Sequence, residues 1–377
     1  MGLFKAHAPY QSWRMSLRGG VMQRFKFILA AACAVVATQA MAADPFVLMF
    51  GQKTATASET RSYFVPKHLG FFKEEGLDVT LQPTDGATQE MQLLAAGRGD
   101  AGLGAPPAVL LARGSGAKVR AIFNSVPFHG TAIAVMADGP IKDPKELKGK
   151  KIGVMSMGAS RTLDGFAMTQ AAGLDPKADV EWLPVGFGVQ AALALQRGDV
   201  QALVLWDLTY ADMEANGFKL RYFTFPFQQG IFGYVYVSTD EKMATRRADI
   251  IKVVRSGAKA TLFAMTNPEA AACIYLKESG RWDTAADKAK AYQAAVAVVK
   301  LDAGHPRDIA AGIGTFPPGG WEKVRDYYFS LGIIKDKLPA EDYYVSDAAF
   351  YAEANNFDKE KIAAMARSYA NTCKDAK

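Results

Sequence analysis

The chain has 377 residues, half of them hydrophobic, with 44 Lys and Arg against 38 Asp and Glu. Five of the basic residues, Lys5, Arg14, Arg18, Arg24 and Lys26, fall in 1–42, where there is no acid, which leaves 39 basic against 38 acidic residues in the remaining 335. That interspersed near-balance excludes the basic patch a nucleic-acid binder needs, and the length exceeds one ordinary core, which predicts two lobes.

The first segment reads as an export leader. Met22 to Lys26 is a basic start, Phe27 to Ala37 an apolar run, and Ala40-Met41-Ala42 a small-x-small cleavage site, so translation starts at Met22 and cleavage falls near Ala42. The apolar run is shorter than the roughly 20 residues a bilayer span requires. Cys33 lacks the large aliphatic residue three places earlier that a lipoprotein cysteine follows.

After the leader, 46–50 reads as a buried strand, 59–68 as a helix and 77–81 as a second strand. Thr84-Asp85-Gly86-Ala-Thr88 opens a helix that ends at Arg98. Strands alternating with helices predict a parallel sheet. Further strands are expected at 119–123 and, leaving the first lobe, at 130–136. A second α/β unit begins at 152–155, with a helix from Ser156-Met-Gly-Ala-Ser160 to about Ala172, a strand at 180–183 and a helix at 189–196. Segments 217–225 and 230–238 close it, the latter returning to the first lobe. The expected division is therefore 43–136 with 237–377 as one lobe and 137–236 as the other. From Arg246 onward helical periodicity dominates, at 250–266, 267–279, 285–301, 320–331 and 359–373, and these helices are expected to pack on the first lobe.

One junction occurs twice: an apolar helix runs through Arg-Gly-Asp into a short apolar strand at Arg98-Gly99-Asp100 and at Arg197-Gly198-Asp199. Its grammar is a basic last turn, a glycine that stops the helix and a buried strand. Each arginine lies at a strand's beginning, so neither is a ligand group in this reading. Outside the leader there are two cysteines, Cys273 and Cys373, which suit either a disulfide or two isolated buried thiols. No Cys/His cluster has metal spacing, so no metal or other cofactor is expected.

Four motifs in order, Gly70-Phe-Phe-Lys-Glu-Glu-Gly-Leu-Asp-Val79, Gly-Arg-Gly-Asp-Ala-Gly-Leu103, Lys145-Glu-Leu-Lys-Gly-Lys-Lys-Ile-Gly-Val154 and Gln-Arg-Gly-Asp-Val-Gln-Ala-Leu203, resemble the periplasmic substrate-binding proteins of ABC importers for nitrate, sulfonates, taurine and thiamine pyrimidine precursors. The resemblance implies a type II two-lobed periplasmic binding protein of the α/β class, with two parallel-sheet lobes joined by two extended hinges. It implies a periplasmic monomer that captures a small molecule and hands it to a transmembrane permease and, indirectly, its ATPase, with no catalysis.

In open α/β sheets a ligand sits beyond the carboxyl ends of the strands. The turns there are 51–54, 86–88, 104–107 and 125–129 in the first lobe, and 156–161, 186–189 and 206–210 in the second. Gln52, Lys53, Thr88 and the backbone of Ala105 are thus expected at the cleft, with His129 and Phe232 as further lining. Opposite them, Ser156 and Ser160 open a helix whose free amides suit an anion, or else act as a plain serine cap. Arg161 can clamp a carboxylate, Trp206 can stack on a ligand or sit in the core, and Asp207 can accept from an amine or orient Arg161. Where resembling proteins carry Gly-Ser-Ser, this chain has Gly158-Ala159-Ser160, one hydroxyl fewer.

The expected ligand is accordingly a small organic anion of the sulfonate or carboxylate class. The alternatives are a protein that binds a thiamine pyrimidine precursor, the related biosynthetic enzyme, and a sensor that docks to a membrane receptor.

Overall fold

The computed structural model describes residues 45–374, so the leader and its cleavage site lie outside the described residues. In chain order the strands are β1 (Phe46–Phe50), β2 (Val79–Pro83), β3 (Ala101–Gly104), β4 (Val119–Asn124), β5 (Thr131–Met136), β6 (Lys150–Val154), β7 (Val180–Pro184), β8 (Ala202–Trp206), β9 (Leu220–Phe223) and β10 (Val235–Thr239). They form two five-stranded sheets of identical plan, β2-β1-β3-β10-β4 and β7-β6-β8-β5-β9. The fold is thus α/β with two lobes.

The sheets are mixed, where wholly parallel ones were expected. β10 runs antiparallel to β3 and β4, and β5 antiparallel to β8 and β9. The cause is the path of the chain. Each of these strands enters its sheet from the other lobe, at the edge where the parallel strands finish: Val235 pairs with Gly104, and Thr131 with Trp206. From that edge a strand can only run back against its neighbours. Because β5 belongs to the second sheet, the first crossing precedes Thr131, earlier than the expected 136, and the second precedes Val235. The two crossing segments hold each other through Val126 N–H to the Tyr234 carbonyl (2.9 Å) and Gly233 N–H to the Val126 carbonyl (2.7 Å). A β-carbon at Gly233 would lie 2.4 Å from the Phe128 carbonyl oxygen, so only glycine permits this approach.

The C-terminal helices Arg247–Thr266, Pro268–Glu278, Lys288–Gly304, Gly320–Ser330 and Lys359–Ser368 follow the predicted periodicity, and Asn267, Asp287 and Asp358 cap three of them. They do not serve the first lobe alone. Helix Lys288–Gly304 also packs on the second-lobe helix Asp207–Ala215, and Tyr328 donates to Asp164 of the second lobe. Cys273 and Cys373 form a disulfide with a Cα–Cα separation of 5.6 Å, which ties the end of the described chain to helix Pro268–Glu278. Among the described residues no helix is long and apolar enough to cross a membrane.

The repeated Arg-Gly-Asp junctions are less alike than their letters. In the second, Gly198 has φ +78° directly after the helix ends at Arg197. In the first, the left-handed residue is Gly97, before the arginine, and Gly99 instead lies against Met49. Asp100 is buried, accepts from Val47 N–H (2.8 Å) and pairs with Lys242 and Arg246, whereas Asp199 is exposed and pairs with Arg197.

Candidate binding cleft

Each lobe sends its strand ends to a common chamber of about 60 Å³. The first-lobe wall begins where β1 stops. Thr56 and Glu59 form a capping box: the Thr56 hydroxyl accepts from Ser58 N–H, and the Glu59 carboxylate accepts from Thr56 N–H at 2.7 Å. The chain then widens into a π-turn, Thr60–Phe64, before becoming helical, a local irregularity of the kind that re-aims side chains at functional sites. Ser58, Glu59 and Ser62 face the chamber as a result, while Arg61 turns into the core.

Glu59 is 1 % exposed, and Gln52 Nε2 donates to its Oε2 at 3.0 Å. Burial dominates its ionisation and pushes its carboxyl up to about 7, against the hydrogen bonds from Thr56 and Gln52. Behind it, burial also raises the Glu90 carboxyl well above the usual range, as it does the phenol of chamber-lining Tyr234. This wall therefore offers carboxyl groups that are readily neutral.

The second-lobe wall presents one guanidinium, with the Asp207 carboxylate at its edge beside His305. Helix Ser160–Ala171 opens onto the chamber with Ala159, Ser160 and Arg161, and first-turn amides have no acceptor inside a helix. Arg161 Nη1 donates to Asp164 at 3.1 Å. Asp164 is fully buried and also meets the Thr131 hydroxyl (3.0 Å), His129 Nε2 (3.3 Å) and Tyr328. Burial alone would raise its carboxyl, but His129 first, then Arg161 and Tyr328, hold it below the usual carboxylate range. Asp164, held toward its ionised form, thus fixes Arg161 from behind, on one of its nitrogens.

Contacts between the lobes rim the chamber. Thr88 donates through its hydroxyl (3.0 Å) and its amide (3.2 Å) to the Gly158 carbonyl, Trp206 Nε1 donates to Ser58 Oγ at 3.2 Å, and Asp207 meets His305 Nε2 at 2.9 Å. His305 in turn lies beside Asp302, which Arg61 clamps through Nη2 at 2.6 Å and through Nε. Arg61 also donates to the Ser125 carbonyl at the first crossing (3.1 Å). One chain of close polar contacts therefore links the π-turn, a crossing segment and the second-lobe rim.

Of the residues singled out from sequence, Gln52, Ser160, Arg161, Trp206 and Asp207 line the chamber. The others do not. Lys53 points into solvent, 77 % exposed, against Asp85. Thr88 bridges the lobes at the rim. Ala105 is wholly buried as the residue that precedes helix Pro106–Gly114, and Phe232 is core, its ring against Phe316 and Trp321. His129 acts behind the wall through Asp164, and the Ser156 carbonyl, not its hydroxyl, takes part in the helix start by accepting from Ala159 N–H and the Thr162 hydroxyl. Sequence reasoning passed over Ser58, Glu59, Ser62 and Tyr234 as lining. The Thr56-Ala-Ser-Glu59 capping box was a readable signal for Glu59; nothing local marks Tyr234. Among the described residues no group of three His, Cys, Asp or Glu side chains could hold a metal ion.

Two sheets with a chamber between their strand ends define a protein of the two-lobed periplasmic-binding-protein fold. The chain belongs to the NMT1/THI5-like family, whose model matches residues 58–271. It is similar to the formylaminopyrimidine-binding protein of Halalkalibacterium halodurans, at 25% identity over 210 residues, which is 55% of this chain and 63% of that protein. The chain spans less than two thirds of the length of the curated relatives it matches. Among solved structures, one from Bordetella bronchiseptica RB50 is similar with a TM-score of 0.66 and 18% identity, covering 82% of this chain and 96% of that one. The periplasmic aliphatic sulphonate binding protein SsuA of Escherichia coli is similar with a TM-score of 0.57 and 18% identity, covering 80% and 92% respectively.

Proposed function

We propose that this protein is the solute-binding component of an ABC importer. It captures a small organic acid, of the sulfonate or carboxylate class, between its lobes in the periplasm and delivers it as a monomer to a membrane permease and thereby to its ATPase. It carries out no reaction on the solute. The observation that supports this most is the second-lobe wall: a helix mouth with Ser160 and a braced Arg161 facing a chamber that both lobes enclose. Helix amides and a guanidinium, removed from water, favour an anionic group.

Glu59 on the facing wall gives the reading a pH signature. An anion entering beside it favours the protonated carboxyl, so binding takes up a proton and weakens as pH rises through about 7. The test is a thermal-shift panel of short sulfonates, carboxylates, nitrate and an aminopyrimidine on the protein, at pH 6 and pH 8. Stabilisation by an organic acid, larger at pH 6, is expected, since a ligand that binds only the folded state raises the melting temperature. Stabilisation by the aminopyrimidine and by none of the acids would overturn the acid reading.

A further inference from the structure

Beyond the Trp206–Ser58 hydrogen bond lies a second cavity, of about 470 Å³, and Ser58, Trp206 and Leu208 line both. It is larger than the chamber, and one neutral hydrogen bond, worth about 1 kcal/mol of net stability, spans the partition. One side is apolar: Phe187, whose ring centroid is 5.7 Å from that of Trp206, and Ala294, Ala295 and Val298 on helix Lys288–Gly304. The other side carries a single carboxylate, Asp212, on helix Asp207–Ala215, and one guanidinium, Arg281.

Asp212 differs from most carboxylates of this molecule. Asp100, Asp164, Asp207 and Asp302 are all engaged by basic side chains. Asp212 forms no side-chain hydrogen bond and no ion pair with any described residue; Arg281, which lines the same cavity, acts on it through its charge without closing to an ion pair. Burial pushes its carboxyl up, with Arg281 opposing. A half-buried carboxylate that no basic side chain pairs directly, facing an apolar helix wall, is a place where an ammonium group from outside gains both a charge-assisted hydrogen bond and shelter from water.

We propose that this outer cavity is a second ligand subsite, which takes the amine-bearing distal end of an elongated solute whose acidic head occupies the inner chamber, with Asp212 pairing the amine. The inference rests on the reading of the inner chamber as an organic-acid site. The apolar wall covers the connecting chain, and Trp206 turns from partition to a face along that chain. The solute class is thus an ω-amino organic acid with a hydrocarbon or aromatic spacer, distinct from a short simple acid that fills the chamber alone.

The experiment is calorimetric titration of the protein with two matched series, n-alkanoates and ω-aminoalkanoates of about four to ten carbons, with propionate as the short reference. In the wild type, the amine is expected to improve affinity about tenfold over the plain acid at one chain length, and at shorter lengths not at all. Asp212→Asn abolishes that gain and leaves propionate binding unchanged. Ala291→Phe, which fills the outer cavity from helix Lys288–Gly304, does the same without touching the carboxylate. Equal affinity of the two series at every length, or a gain that survives both variants, overturns the subsite while leaving the acid site standing. Failure of propionate and of every other acid to bind the wild type overturns the acid reading, and the subsite falls with it.

Discussion

The first lobe lines the chamber with Gln52, Glu59 and Tyr234, and the second lines it with Ser160, Arg161 and Trp206, although both walls come from the ends of equivalent strands in sheets of one plan. Topology therefore places the walls without setting their charge. What lies behind each wall sets it. Asp164, held ionised by His129, Arg161 and Tyr328, keeps a cation at the second wall, whereas Glu59 has only the neutral Gln52 and Thr56 for hydrogen-bond partners and shifts toward its neutral form. The contrast gives a small anion one attractive face and one face that yields by protonation.

The strongest way to break the contrast is to remove what anchors the first wall. Arg61→Leu removes the two-pronged partner of buried Asp302 and leaves it the longer contact of Arg307 at 3.5 Å, and loss of one partner of a buried pair costs about 3–5 kcal/mol. Urea unfolding should show that loss, together with weakened closure of the rim at His305 and Asp207. Glu59→Gln comes next. Its folded carboxyl sits at about 7 against a usual 4.5, so the folded form holds the proton more tightly. The associated stability is fully present below about pH 4.5 and is lost as pH rises to about 7, on the order of 3 kcal/mol in total. In denaturant titrations across that window the wild type should lose that much relative to the glutamine variant. Parallel curves would show that Glu59 ionises normally. The smallest effect belongs to Lys53→Ala. Its side chain is solvated beside Asp85, so stability should stay within about 0.5 kcal/mol and acid affinity should not move.

Much of this arrangement was legible before any coordinates. Strand runs such as Phe46 to Phe50 and the helical periodicity after Arg246 announce themselves through pattern. The rule that ligands meet the carboxyl ends of strands located Gln52, Ser160, Arg161 and Trp206 at the chamber. What pattern could not supply was the direction of residues outside regular elements. Phe232 and Tyr234 both precede β10 on the second crossing, yet one ring enters the core and the other the chamber, because the pairing of that segment with Val126, not strand alternation, orients them. Lys53 follows from a similar cause: at a turn its long chain reaches water at little cost. Mixed sheets were missed because the period of a strand says nothing about its direction. Only the crossing path decides that.

The central claim is that an organic acid binds against Arg161 and Trp206 on the second wall. It is tested most directly by calorimetric titration of a short alkanesulfonate into the wild type and into the Arg161→Ala, Trp206→Ala double variant at pH 6. Loss of a charge-assisted contact and an aromatic face together should weaken binding about a hundredfold or more, while Asp164 keeps His129, Thr131 and Tyr328 and the variant stays folded. Unchanged affinity in the double variant would contradict the account and move the acid site elsewhere on the molecule.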